Sequence, residues 1–124
     1  MVPVRAKDVL GQHGEALATE YLLNQGYRIL ERNWRCDVGE IDILALDGEA
    51  LVVCEVKTRR TTRYGSPLEA VNGPKARRLR LLAARWLAEH QLKPRTVRID
   101  VVGIVAPADC APDEYHVEHV RGVL

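Results

Sequence analysis

Three charged residues stand inside apolar runs where a buried strand should carry none. They are Asp42 in Gly39-Glu40-Ile41-Asp42, and Glu55 and Lys57 in Leu51-Val52-Val53-Cys54-Glu55-Val56-Lys57. Two carboxylates held roughly 6 Å apart repel by about 3 kcal/mol at an effective dielectric near 20, so their juxtaposition calls for compensation. A hard divalent cation such as Mg²⁺ or Mn²⁺ supplies it, because these ions prefer oxygen ligands and use one or two carboxylates while retaining waters. A lysine beside such a pair can neutralise an attacking hydroxide or a phosphate oxygen.

A hairpin must bring the three together. Asp47-Gly48 lies between the two runs and is a strong short-range turn signal. A two-residue loop at 47–48 places Asp42 opposite Val53 with Glu55 diagonal to it; a four-residue loop over 47–50 places Asp42 directly opposite Glu55. Both even-length loops put Asp42, Glu55 and Lys57 on one face, because side chains alternate with period two. An odd-length loop breaks the site. The plain alternative is a surface hairpin with an ion pair between Lys57 and Glu55 or Glu40. Against it, Ile41, Ile43 and Leu44 in one run and Leu51, Val52, Val53 and Val56 in the other have the composition of interior strands.

The 124 residues suffice for one domain with a single core, here taken as 1–124 with the core at 8–105. Cys36, Cys54 and Cys110 are odd in number and lack metal-site spacing, so neither a zinc centre nor a disulfide scaffold is expected, and Cys54 reads as a small core residue. The N-terminal residues lack the apolar segment of a secretion signal and no apolar run approaches a membrane span, which makes the cytoplasm the expected compartment. The net charge of +1 hides a segregation. Residues 56–98 contain twelve Lys and Arg against Glu69 and Glu89, whereas the rest of the chain holds six basic and fifteen acidic residues. One side of the molecule is thus suited to a polyanion.

Residues 8–25 read as a helix ended by Gly26, with Glu15 on the face of Ala18, Thr19 and Leu22 and in want of a metal or an arginine partner. Tyr27 to Trp34 reads as a strand, 35–38 as a loop, and 58–65 as a basic turn fit to grip phosphate. Ser66-Pro67 with Glu69 signals a helical turn, interrupted at Asn72-Gly73-Pro74. Pro74 to about Gln91 reads as a long helix with Leu79, Leu82, Ala83, Trp86 and Leu87 on its buried stripe. Thr96 to Val105 is a strand in which Asp100 is a structural partner for an arginine. Residues 106–114 form a loop, and Tyr115 to Val120 an edge strand. The order α-β-β-β-α-β-β predicts an α/β domain with one mixed central sheet flanked by helices, the long helix making a right-handed crossover.

Gly14-Glu15, Ala18, Tyr21-Leu22, Gly26-Tyr27, Gly39-Glu40-Ile41-Asp42, Glu55-Val56-Lys57, Tyr64-Gly65, Pro67, Glu69-Ala70-Val71 and Lys75 together resemble the YraN-like family of predicted endonucleases. That family is similar in turn to archaeal Holliday-junction resolvases and the PD-(D/E)xK restriction-endonuclease-like superfamily. The resemblance spans about Gly11 to Val105, and Ile41 stands where the superfamily's eponymous proline would be. It implies a Mg²⁺-dependent phosphodiesterase site in which Asp42, Glu55 and the Val56 carbonyl ligate metal and Lys57 positions or activates the attacking water. Glu15 would match the extra helix carboxylate of the resolvase-like branch, as a further ligand. Glu40 shares the face of Asp42, as a support for the ligands or an alternate ligand.

The function expected is hydrolysis of DNA phosphodiester bonds, with branched recombination or repair intermediates among the substrates and a homodimer if two strands are cut symmetrically. Arg59, Arg60, Arg63, Lys75, Arg77 and Arg78 are the expected contacts to flanking phosphates. The alternatives are a nucleic-acid-binding accessory protein that keeps the pocket without chemistry, and a protein-interaction domain that offers its arginine-rich helix to an acidic partner.

Overall fold

The computed structural model describes residues 6–61, 71–109, 111 and 114–123. Helix α1 (Ala6–Asn24) leads into a meander of β1 (Arg28–Cys36), β2 (Gly39–Asp47) and β3 (Ala50–Arg59). Helix α2 (Gly73–His90) then crosses to β4 (Thr96–Val105), and β5 (His116–Val120) closes the order. The five strands form one sheet in sequence order, antiparallel except for the parallel pair β3–β4 that α2 connects. The expected α/β architecture and element order are borne out.

Local chemistry explains the helix ends. Helix α1 stops in a Schellman arrangement: the Tyr27 amide donates to the Leu22 carbonyl and the Gly26 amide to that of Leu23, with Gly26 at φ +92°. Helix α2 starts at Asn72, whose side chain accepts the Lys75 amide, with a proline in the first turn. Asn72, in extended conformation, is therefore the cap at which α2 begins. At the other end Gln91 turns left-handed, φ +51°, and its amide returns to the Leu87 carbonyl.

The sheet separates two cores. Ala76, Leu79, Leu82, Ala83 and Trp86 of α2 bury Leu44, Leu51, Val53, Ile99 and Val101 on one face. Ala18 and Leu22 of α1 cover Ile43, Ala45, Val52, Cys54, Val102 and Ile104 on the other. The central strands are oily on both sides, as expected of strands covered by helices on each face.

Two strand ends run two residues past the sequence expectation. Strand β1 continues to Cys36, because Asp37-Val38 alone make the turn and Cys36 already pairs with Gly39. Strand β3 extends through Thr58 and Arg59, since the parallel ladder to β4 holds them as far as Arg59 opposite Val105. These two residues therefore belong to a strand and not to the expected basic turn. The rest of that turn from residue 62, and the helical turn at Ser66, lie outside the described residues.

Candidate active site

The β2–β3 hairpin turns at Gly48-Glu49, between the pair Asp47 and Ala50. Gly48 has φ +59° while Glu49 does not take positive φ, the pattern of a type II′ turn with glycine first. The turn is shifted one residue from the expected Asp47-Gly48, and the resulting register is the one in which Asp42 faces Glu55. The ladder, however, stops one pair short, at Ile43 and Cys54. Beyond it the strands part. β2 stays with β1 down to Gly39, and β3 stays with β4 up to Arg59.

Asp42 fills the parting. Ile41 packs in the core under α2 and Ile43 in the core under α1, so the regular alternation of β2 fails at Asp42. Its Oδ2 accepts the Val56 amide at 2.9 Å, satisfying a strand donor that has lost its neighbour. Glu55 and Lys57 stay two apart in an unbroken ladder to β4, and Glu55 feels the charge of Asp42, but the three side chains take different partners. Glu55 meets α2, where its Oε1 accepts from the Lys75 ammonium at 2.6 Å. Lys57 is exposed and lines a cleft of about 800 Å³ together with Asp42, Glu40, Val56, Thr58 and Glu15. Glu55 does not line that cleft.

Helix α1 delivers Glu15 to the same cleft through a close approach. A Cβ at Gly14 would lie 1.8 Å from the Thr58 hydroxyl, so only glycine lets the helix sit this near β3. Glu15 pairs with Arg32 at 3.4 Å, the arginine partnership that sequence left open, and Asn33 lines the same cleft. Asn33 was not anticipated. It takes φ +52° inside a strand, and with it β1 changes face, Arg32 reaching α1 and Trp34 entering the core under α2. Asn tolerates this conformation better than most residues, yet nothing in Arg32-Asn33-Trp34 announces it.

Electrostatically the acids form one group. Burial raises the proton affinity of Asp42, and Glu40 adds repulsion, against which the Val56 amide, Lys75 and Lys57 pull. Burial also raises that of Glu55, reinforced by Asp42 and opposed by Lys75. Glu15 is raised by burial against the pull of Arg32, with Asp42 adding to the rise. Such coupled, desolvated carboxylates are a mark of functional sites. Behind them Cys54 is sealed in the core as expected, its thiol pushed well up by burial and by the charges of Asp100, Asp42 and Glu55.

Among the described residues, no three Asp, Glu, His or Cys side chains converge closely enough to hold a metal ion. The donor chemistry that does meet, two hard carboxylates whose proton affinities stay raised despite Lys75 and Lys57, suits a divalent cation completed by water. Of the expected phosphate contacts, Arg77 and Arg78 are exposed at the start of α2, while Arg60 donates to the Ala106 carbonyl at 3.2 Å. Arg59 sits on β3, Lys75 is committed to Glu55, and Arg63 lies outside the described residues. Glu40 pairs with Arg35 at 2.9 Å at the exposed rim.

Asp100 is the structural residue expected of it. Fully buried, it accepts from Arg98, the Tyr27 hydroxyl and the Gly122 amide, and lies 2.7 Å from His119. No described helix is long and apolar enough to cross a membrane.

Residues 14–104 match the family model described as "Uncharacterised protein family UPF0102". The chain is 54% identical over 123 residues, 99% of each chain, to a UPF0102 protein of Paenarthrobacter aurescens. It is also 54% identical over 121 residues to one of Frankia casuarinae, covering 98% of this chain and all of that one. The matched span takes in α1 from Gly14, the parted hairpin, α2 and β4, so every site element falls within it. The chain belongs to the uncharacterised protein family UPF0102, the YraN family whose motifs its sequence carries.

Proposed function

We propose that this protein is a Mg²⁺- or Mn²⁺-dependent endonuclease of the PD-(D/E)xK kind that hydrolyses phosphodiester bonds in DNA, with branched recombination and repair intermediates as its substrates. The observation that carries this reading is the burial of Asp42 and Glu55 beside one another where β2 and β3 part, with Lys57 on the wall of an open polar cleft. Asp42 and Glu55 would hold the cation, with the Val56 carbonyl as an additional oxygen donor. When bound, the cation supplies Lewis-acid polarisation of the phosphate. Lys57 orients the attacking water and stabilises negative charge gathering on the phosphate oxygens. Glu15, paired with Arg32, is a further ligand offered from α1, and Glu40, paired with Arg35, is a support for the ligands or an alternate ligand. Arg59, Arg60, Arg63, Arg77 and Arg78 bind flanking phosphates, which sets affinity and not base preference.

The test is cleavage and gel shift on branched, duplex and single-stranded DNA with Mg²⁺, Mn²⁺ or EDTA, for wild type and Asp42→Asn. Metal-dependent cutting lost in the variant is the expected result. Salt-sensitive binding without cutting, alike in both proteins, would replace the nuclease with a second reading, a nucleic-acid-binding accessory protein. That reading draws on one observation: Glu55 already has a cationic partner in Lys75.

A further inference from the structure

Glu55 is only 13% exposed along its side chain, and a carboxylate so enclosed requires a counter-charge. Lys75 provides it from a defined station. It is on the first turn of α2, and the Asn72 side chain fixes its backbone amide at 2.9 Å. The lysine stem remains 39% exposed, so the ammonium reaches inward from the surface. Asp42 and Glu55 together carry two negative charges; Lys75 touches Glu55 at 2.6 Å, while Asp42 feels Lys75 and Lys57 only through longer-range attraction. A divalent cation balances both. Lysine is a compact point charge on a flexible stem, able to withdraw without disturbing the helix that bears it.

We infer that Lys75 is an internal counter-ion standing in the divalent cation's place, neutralising Glu55 while the cation is absent and displaced from Oε1 when one binds. The inference rests on the reading of Asp42 and Glu55 as cation ligands. Once displaced, the ammonium stands free at the start of α2 beside Arg77 and Arg78, ready for a substrate phosphate. Cation and polyanion binding are thereby coupled through one side chain, each strengthening the other.

Calorimetric titration of the full chain with Mn²⁺, without DNA, compares wild type, Lys75→Met and Lys75→Arg. Lys75→Met is expected to bind Mn²⁺ on the order of tenfold more tightly, because it removes the competing charge at a few ångströms. Lys75→Arg should behave like wild type. In thermal melts without cation, Lys75→Met should unfold at lower temperature, recover with Mn²⁺, and recover without it when Glu55→Gln is added. A Lys75→Met chain that folds only with Mn²⁺ supports the inference; one left unfolded by Mn²⁺ overturns it. Equal or weaker Mn²⁺ affinity in Lys75→Met overturns the counter-ion role alone and leaves the ligands standing. Absence of Mn²⁺ binding in every variant overturns the inference together with the metal-dependent reading.

Discussion

The Val56 amide donates to Asp42 Oδ2 at 2.9 Å across the seam where β2 and β3 separate. Asp42 therefore serves the fold and the site with the same atoms. Asparagine keeps an oxygen acceptor for that amide, whereas alanine orphans it. Asp42→Asn should stay folded and lose cleavage. Asp42→Ala should lose cleavage and about 1–3 kcal/mol of stability, read by urea unfolding at neutral pH.

The desolvated carboxylates of the site should cost stability when charged. Asp42, Glu55 and Glu15 all have folded proton affinities raised above the unfolded ones, so the native state binds more protons. Their favourable contribution is complete below the unfolded value, near pH 4, and is lost as pH rises through the folded values. At pH 7 Asp42→Asn should consequently be more stable than wild type by roughly 0.5–2 kcal/mol, with the gap closing in acid. Denaturant midpoints between pH 4 and 8 measure this.

Asp100 titrates in the opposite sense. Burial would raise its proton affinity, but hydrogen bonds from His119, Arg98 and the Gly122 amide outweigh it and hold the carboxyl well below the usual range. Its stabilisation is present above the unfolded value, about pH 4, and is lost as pH falls towards the folded one. Asp100→Asn should cost about 3 kcal/mol or more at pH 7, since it breaks a buried charged network, and should flatten the acid limb of the stability curve. The Tyr27 hydroxyl, pushed up to about 12 by burial and by Asp100, should show no phenolate absorbance at pH 10 until the fold opens.

Gly14 allows α1 to approach β3. Gly14→Ala drives a methyl group into Thr58 and must push the helix outward, at a cost of about 1–3 kcal/mol. Glu15 moves with it. Gly14→Ala combined with Thr58→Gly should relieve the clash, Thr58→Ala only part of it because the Thr58 Cβ is itself 2.9 Å away, and a matching recovery of cleavage would tie the approach of α1 to the site.

Binding to duplex DNA should weaken with salt. If five of Arg59, Arg60, Arg63, Lys75, Arg77 and Arg78 contact phosphates, log affinity falls against log salt with a slope near −4.5. A flat dependence would remove the basic face from the interface. Lys75 is also asked to serve Glu55, so its removal should reduce the slope by about one only when a divalent cation is present.

The fold was legible wherever periodicity or end chemistry was strong. The stripe Leu79, Leu82, Ala83 and Trp86 located α2, Gly26 the end of α1, and alternation in Val97, Ile99 and Val101 the strand β4. Residue types alone singled out Asp42, Glu55 and Lys57. What they could not supply was the irregularity at Asn33 and Asp42, because a residue that changes face inside a strand breaks the period-two rule on which sequence inference depends. The partnership of Lys75 with Glu55 was hidden for another reason. Twenty positions separate them, and only the packing of α2 on the sheet brings the ammonium to that carboxylate.

The parallel pairing of β3 with β4 also sets an order of events during synthesis. Glu15, Asp42, Glu55, Lys57 and Lys75 all precede β4, which completes the sheet beside the strand bearing Glu55 and Lys57. As the chain leaves the ribosome, β1, β2 and β3 can form their meander at once, but the free edge at Leu51 to Val56 must wait for α2 and then for Thr96–Val105. Until then an apolar strand edge is open to other nascent chains. A ribosome-stalled fragment ending near residue 90 should therefore aggregate or bind chaperone, whereas one that includes β4 should not.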